Sequence, residues 1–251
     1  PGRYTTILEP QAVCDFVAPM VGDHVTILDY YPTNHQPTQG PFGSRPPSYA
    51  ALKGQRVMDP RLTLSADPTD PDLAFPPFNP VEAIDADSEV DLSYDVYHPA
   101  TWIEHGVLKT LAYTRDFARD HFLENLGMPN SGAFRLSGGD TTIAEMIATT
   151  ERGLLVTRLD DVQLLDPHSL LYRGYTRDGL WLIEHGKLAK AVKNLVFTES
   201  VLFALNNVEQ IGVPQRVFHP KTDSIRTIPQ PVIVPPLKIK DFSFTALSSA
   251  V

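Results

Sequence analysis

The sequence predicts an α+β fold, mainly antiparallel β-sheet in a meander that can close into a barrel, with about four flanking helices. Three observations favour this class. A hairpin sequence occurs twice, short apolar segments alternate with Gly-bearing turns, and several stretches carry apolar residues at helical spacing. A unit that repeats a strand, a turn and a returning strand is typical of sheet duplication.

The duplicated hairpin covers residues 102–109 and 181–188, which read WIEHGVLK and WLIEHGKL. Only Gly enters the left-handed backbone region without steric cost. We therefore interpret His105-Gly106 and His185-Gly186 as turn residues, not as metal ligands. The two copies are expected to be structurally equivalent and to face each other across one sheet system.

Residues 1–30 are predicted to form a strand and a helix. The strand covers Arg3–Leu8, and the helix begins near Pro10, which is tolerated in a first helical turn. Pro19 and Gly22 are expected to end this helix early.

Residues 31–95 are predicted to be Pro- and Asp-rich loops, including an acidic loop over Pro76–Asp95. The segment 85–91 resembles a calcium loop in composition. It fails the EF-hand test because Val90 stands where Gly is needed and Val96 where Glu is needed. A solvated acidic loop that leads into a strand is the better interpretation.

Residues 96–251 are predicted to form a β meander with helices. Three helices are predicted after the first one. One covers 114–127 and carries His121 on one face, and the next is capped by Asp140 and stopped at Gly153. The last covers Thr198–Ile211. The predicted strands are Leu154–Leu159, Leu170–Tyr175, Leu180–Glu184, Leu188–Val192 and the edge or closing strand Leu237–Phe244, with a Gly-bearing turn over Thr176–Gly179.

Composition excludes several function classes. The net charge is −9, and the Lys and Arg residues are scattered, so nucleic acid is not an expected partner. No run of about eighteen apolar residues exists to span a membrane. The single cysteine, Cys14, suits a reducing compartment and a cytoplasmic location, and its apolar neighbours indicate a buried residue and not a nucleophile.

Motif searches give no catalytic template. The chain lacks a Gly-x-Ser-x-Gly elbow, a phosphate-binding Gly loop, a Cys-x-x-Cys pair and a His-Glu-x-x-His helix. Its eight His residues are dispersed, and a carboxylate pair such as Asp160-Asp161 arises by chance at this acidic density. The sequence therefore predicts no catalytic, cofactor-binding or metal-binding residue in this chain, and the substrate-binding residues are unknown.

Several segments nonetheless resemble the C-terminal domain of the TldD/PmbA family. They are GLLVTR at 153–158, DPHSLL at 166–171, GYTRDG at 174–179, LIEHGK at 182–187, the segments 192–195 and 236–242, and the early segments 1–4 and 67–71. The resemblance covers most of residues 1–251 and implies one domain of this type. The family consists of metallopeptidase assemblies that trim or mature peptides, once described as modulators of DNA gyrase. Its members carry a further domain ahead of this one, so we expect the chain to be the C-terminal part of a longer protein.

The resemblance also implies which branch the chain belongs to. In the TldD branch the first helix carries a His-Glu-x-x-x-His zinc motif, and alignment on Arg3–Leu8 places its three ligand and base positions at Val17, Ala18 and Gly22. None of these residues binds zinc, and the late Cys ligand of that branch has no counterpart. The chain thus resembles the PmbA (TldE) branch, and zinc is expected in a TldD-like catalytic partner and not in this chain.

Two functions follow from these expectations. The first is a non-catalytic subunit of a peptidase heterodimer, in which an extended peptide adds to a strand edge and the partner supplies the metal. The alternative is a homodimeric module that binds a peptide or small ligand without hydrolysis. In either case we expect a subunit interface that includes the edge formed by Leu237–Phe244 and the meander from Leu154 to Val192.

Overall fold

The structure is a computed structural model that describes residues 1–23, 52–73, 75, 78–84, 90–96, 98–111, 133–166, 169–222 and 227–248. Strands dominate this part of the chain. They are β1 (Gly2–Leu8), β2 (Leu64–Ala66), β3 (Phe78–Ile84), β4 (Val90–Val96), β5 (Ala100–Glu104), β6 (Val107–Leu108), β7 (Phe134–Leu136), β8 (Arg152–Asp166), β9 (Leu171–Glu184), β10 (Lys187–Ala191), β11 (Leu195–Ser200), β12 (Val208–Ile211), β13 (Gln215–Thr222), β14 (Thr227–Val234) and β15 (Leu237–Leu247). The described helices are α1 (Pro10–Asp23), α2 (Ile143–Ala148) and α3 (Val201–Asn206). The predicted helix 114–127, with His121, lies outside the described residues.

The larger sheet has the order β1-β8-β9-β11-β15-β12, with β10 paired to β9. Strand β1 also pairs with β15, so β1, β8, β9, β11 and β15 form a closed ring. Within this ring only the β1–β8 pairing is parallel. The predicted α+β class, mainly antiparallel with a barrel-like closure, is confirmed.

A second sheet has the order β13-β14-β7-β2-β5-β6. Strands β3 and β4 form a separate two-stranded sheet that pairs with no other described strand. Strands β2 and β3 lie within residues 31–95, and β4 lies there except for Val96, although loops were predicted for this region. Apolar β-branched and aromatic residues between the prolines allow these short strands to form.

Helix α1 is the centre of the core. It contacts β8 of the larger sheet and β13 and β14 of the second sheet. Phe16 packs edge-on against Phe197 and Phe242, with ring centroids 5.9 and 5.5 Å apart. Every residue from Ala12 to Ala18 is at most 8% exposed, so this mostly apolar stretch of α1 is buried on all sides and joins the two sheets.

The end expected for α1 at Pro19 is wrong, whereas the helix does end one residue after Gly22. The helix continues through Pro19 to Asp23, although a proline removes one backbone hydrogen bond. Met20 and Val21, just after the proline, are at most 1% exposed. Their burial offsets the lost hydrogen bond, a contribution that only the tertiary environment supplies.

The predicted turn at Thr176–Gly179 is also wrong, because β9 runs without a break from Leu171 to Glu184. The residues that were expected to form a turn instead form a β-bulge within the strand. Asp178 has a left-handed backbone with φ of 59°, and the pairing register with β8 shifts between Val156 and Arg158. Turn-forming residues can produce a bulge when both flanking segments pair with the same neighbour.

Two predicted helices differ from the observed ones. The helix expected over Thr198–Ile211 is reduced to α3, because the preceding residues pair as β11 and the following residues pair as β12 with β15. The cap expected at Asp140 belongs instead to Thr142, whose hydroxyl accepts from the Glu145 amide at 3.2 Å. The expected stop at Gly153 lies inside β8, five residues beyond the end of α2.

Strand β15 is not an edge. It pairs with β1, β11 and β12, so its backbone hydrogen bonds are satisfied within this chain over most of its length. The expectation that Leu237–Phe244 offers an apolar edge to a partner is therefore wrong. The strand closes the ring, and Leu237, Ile239 and Phe242 are fully buried.

Candidate functional site

At the three positions that the resemblance aligns with a zinc motif, α1 offers no metal ligand. Val17 and Ala18 are 0% and 2% exposed, and Gly22 lies in the last turn of the same helix. Zinc requires nitrogen, sulfur or carboxylate donors, and aliphatic side chains supply none. The residues at these positions do not fit a zinc ion.

Asp15 is the buried charged group of α1. Its carboxylate accepts hydrogen bonds from the Leu159 amide, from Arg158 Nε and from Gln11 Nε2, each at 3.0 Å. Burial raises the pKa of the Asp15 carboxyl, and the three donors oppose that rise. With every donor supplied by the protein itself, Asp15 fixes α1 against β8 and is not poised for proton transfer.

Cys14 is fully buried, as predicted. Burial raises the pKa of its thiol far above the ordinary value, and the neighbouring Asp15 raises it further. The thiolate is the nucleophilic form of cysteine. The geometry thus favours a packing role over nucleophilic catalysis.

His105 and His185 occupy the turns that the sequence predicted for them. Both have positive φ, 48° and 50°, and each precedes a glycine with φ above 70°. This backbone pattern is that of a type I′ hairpin turn. The His185 ring contacts the Glu151 carboxylate, and both side chains are largely exposed.

The Asp160-Asp161 pair does not form an acid–base site. Asp160 binds Arg177, with 3.2 Å between Oδ2 and Nε. Asp161 has φ of 50° at a register shift of β8 and accepts from Gln163 Nε2. The two carboxylates thus have separate partners. Among the described residues no group of three or more His, Cys, Asp or Glu side chains is arranged to hold a metal ion.

Besides Asp15, two buried charged residues had no place in the sequence prediction. Glu199 is 4% exposed and accepts from the amides of Ser200 and Ser243, with Arg3 Nη1 at 3.6 Å. Burial raises the pKa of its carboxyl. This carboxylate joins β11 to β15, so its role is to hold the ring of strands together.

Lys238, the second of these residues, is 5% exposed. Its Nζ donates to the carbonyl and hydroxyl oxygens of Thr149 at 3.1 and 3.2 Å and lies 3.6 Å from Glu209. The contacts attach the C-terminal end of α2 to β15. No signal in the sequence marks this lysine, because its partners come from distant segments.

The calcium-like segment 85–91 lies mostly outside the described residues. Only its last two positions, Val90 and Asp91, belong to a described strand, β4. In the described part of the chain, no helix combines the length and the apolar character needed to cross a membrane.

The two hairpins are equivalent in conformation but lie in different sheets, which corrects the expectation of one sheet system. β5 and β6 belong to the second sheet, and β9 and β10 to the larger one. Each turn glycine donates to a carbonyl just before the neighbouring strand: Gly106 to Leu62 at 2.8 Å and Gly186 to Thr150 at 3.0 Å. The shared geometry confirms the duplicated hairpin.

Comparison with known proteins identifies the fold. A model of the PmbA/TldA metallopeptidase C-terminal domain matches residues 1–246. Two solved structures, TldE from Thermococcus kodakarensis and a putative modulator of DNA gyrase from Thermotoga maritima, each share 17% identity, superpose with a TM-score of 0.67 and cover 97% of this chain. A putative modulator of DNA gyrase from Bacteroides thetaiotaomicron shares 18% identity, with a TM-score of 0.68 and 98% of this chain covered.

The chain spans about half the length of these structures, 50% of the first two and 47% of the third. A comparison with curated protein sequences gave no match. The family model nevertheless extends over almost all of the 251 residues. The chain therefore belongs to the TldD/PmbA metallopeptidase family, and it corresponds to the C-terminal domain of that family.

Proposed function

We propose that this chain is a non-catalytic, PmbA/TldE-like subunit of a TldD/PmbA-type metallopeptidase complex that acts in the proteolysis or maturation of peptides. The observation that carries the proposal is the aliphatic character of the α1 residues that align with the family's zinc motif. Val17 and Ala18 stand where the family's metal helix has its ligand and base, and both are buried against other apolar groups. A TldD-like partner with a His-Glu-x-x-x-His helix would supply the zinc.

The ring of strands supports a framework role. It is fixed by buried polar contacts at Asp15, Glu199 and Lys238 rather than by groups left open for chemistry. A rigid sheet scaffold with open outer strands is suited to bind extended peptides by strand addition. In this proposal the chain shapes the peptide-binding chamber and the partner cleaves.

Co-expression with a TldD-type protein from the same source tests the role. We expect a stable complex by light scattering, with zinc measured by elemental analysis in the complex and none retained by this chain alone after dialysis. We also expect peptide cleavage by the complex that a chelator abolishes. If the chain forms no complex with the TldD-type protein at micromolar concentration, the subunit role is contradicted.

A homodimeric binding module is the second candidate, and one observation favours it. The β3–β4 sheet pairs with no other described strand, and two strands alone are marginally stable in water. A second copy of the chain could cover it. A homodimer that binds peptides, forms no complex with a TldD-type protein and shows no hydrolysis would support this candidate over the first.

A further inference from the structure

Strand β10 is an outer strand of the larger sheet. It pairs with β9 on one side, and no described strand pairs with its other side. All five residues of β10 are exposed. Outer strands carry backbone N–H and C=O groups that can bind a further strand.

The duplicated hairpin shows how such an edge is covered. Its outer strand, β6, is the counterpart of β10, and a segment of this chain that begins with a turn binds along it, with an isolated bridge between Arg56 and Val107. The Gly54 amide donates to the Leu108 carbonyl at 2.7 Å, and the Leu108 amide donates to the Gln55 carbonyl at 3.0 Å. The Val57 amide donates to the Gly106 carbonyl at 2.7 Å. Leu108 is fully buried.

Leu188 is the residue of β10 that corresponds to Leu108. Leu108 pairs with Ile103, two residues before the turn, and Leu188 pairs with Ile183 in the same way. In an antiparallel pair, alternate residues direct their backbone groups away from the neighbouring strand. The groups that bind a segment at Leu108 are thus directed outward at Leu188, whose side chain is 47% exposed.

Charge indicates what kind of strand fits this edge. Residues 187–193 contain Lys187, Lys190 and Lys193 and no acidic residue, within a chain of net charge −9. Glu184 lies opposite Lys187 on β9, so the uncompensated positive charge is that of Lys190 and Lys193. An acidic strand is therefore the favoured neighbour, and a basic one is disfavoured.

The chain itself contains an acidic pair of strands that no described strand joins to a larger sheet. β3 and β4 carry Glu82, Asp91 and Asp95 and no Lys or Arg. They pair with each other and with no other described strand. Two isolated strands need a third strand or a packed face for stability in water.

From these observations we propose that the β3–β4 hairpin of a second copy of this chain adds to the outer edge of β10. A two-fold arrangement forms the contact twice, because each copy offers one hairpin and one edge. The contact specifies how the homodimer proposed above as the second candidate would assemble, and it rests on that candidate.

The test measures the dissociation constant of the dimer for the whole chain. Lys190→Glu with Lys193→Glu reverses the charge of the edge, and Asp91→Lys with Asp95→Lys reverses that of the hairpin. We expect each double change to raise the dissociation constant at least about tenfold, and a one-to-one mixture of the two variants to recover both contacts, because each edge then meets a hairpin of opposite charge. The control is Lys53→Glu with Lys240→Glu, which changes net charge equally at exposed positions elsewhere.

A backbone test is independent of charge. Leu188→Pro removes the outward N–H of β10 and is expected to weaken the dimer, whereas hydrogen exchange at residues 187–191 should slow as wild-type concentration rises. A melting curve verifies that each variant is folded. If Leu188→Pro does not fold, the charge-reversal variants alone decide whether the contact forms.

A monomeric wild type at all accessible concentrations, or a dimer that both charge reversals leave unchanged, overturns the proposal. In that case the lysines serve only to prevent strand pairing. The proposed partner role fails separately, because it is measured with a TldD-type protein.

Discussion

Gly106 and Gly186 lie in different sheets, yet they have almost the same backbone conformation, with φ of +75° and +73°. Each is also packed against a carbonyl oxygen. A Cβ added at Gly106 would lie 2.3 Å from the Met58 oxygen, and one at Gly186 would lie 2.7 Å from the Ala148 oxygen. Both positions therefore require glycine for two reasons, the left-handed backbone and the close neighbour.

Replacing Gly186 should destabilise the domain. Gly186→Ala is expected to cost more than about 1 kcal/mol, and Gly186→Val more again because a β-branched residue is further penalised at positive φ. Gly54→Ala is the matched control. Gly54 has φ of +84°, but its added Cβ would meet no atom within 4 Å, so this variant reports the backbone strain alone. Thermal or denaturant unfolding measures the difference, and equal losses at both positions would contradict the packing argument.

The Asp15 carboxylate should be important for stability and not for chemistry. Asp15→Ala leaves the buried Leu159 amide without its acceptor, which is expected to cost about 2 kcal/mol. Asp178→Asn is the control, because it removes the charge of a carboxylate that is 62% exposed and 3.7 Å from the same Arg158, and Asn tolerates the left-handed backbone at this position. That change should cost less than about 0.5 kcal/mol. Comparable losses from the two variants in urea unfolding would be evidence against the network at Asp15.

The cap of α2 distinguishes the sequence prediction from the structure. Thr142 and Glu145 form a capping box, in which the Glu145 carboxylate accepts from the Thr142 amide at 2.8 Å. Thr142→Ala should therefore destabilise the protein by about 1 kcal/mol. Asp140→Ala should change stability by less than about 0.5 kcal/mol. The opposite order of the two melting temperatures would restore Asp140 as the cap.

Glu199 should make stability depend on pH in mild acid. Because burial raises the pKa of its carboxyl in the folded protein, folding favours the protonated form. This contribution is complete below the ordinary glutamate pKa and is lost as pH rises through the raised value. Glu199→Gln stays neutral throughout, so its stability relative to wild type should improve as pH rises across that interval.

Unfolding free energies at several pH values measure this dependence. Glu104→Gln is the control, since that carboxylate is half exposed in a surface pair with Lys109. A constant difference between wild type and Glu199→Gln at every pH would contradict the raised pKa.

Local sequence determined the features that depend on neighbouring residues. The turns at His105-Gly106 and His185-Gly186 follow from the one residue that tolerates a left-handed backbone. The strand Arg3–Leu8, the helix start at Pro10 and the burial of Cys14 follow equally from local pattern. The aliphatic residues at Val17 and Ala18, which carry the proposed function, are also a property of the sequence.

Tertiary structure decided the rest, because pairing between distant strands outweighs local preference. Thr176–Gly179 became a bulge and not a turn since β8 pairs along the whole of β9, and the apolar spacing after Thr198 formed two strands around a short helix. Pro19 is tolerated because its neighbours are buried between two sheets. Ser243, a partner of Glu199, and Thr149, a partner of Lys238, are each more than forty residues away along the chain. Such contacts contribute free energy only once the chain is folded, so no short stretch of sequence can indicate them.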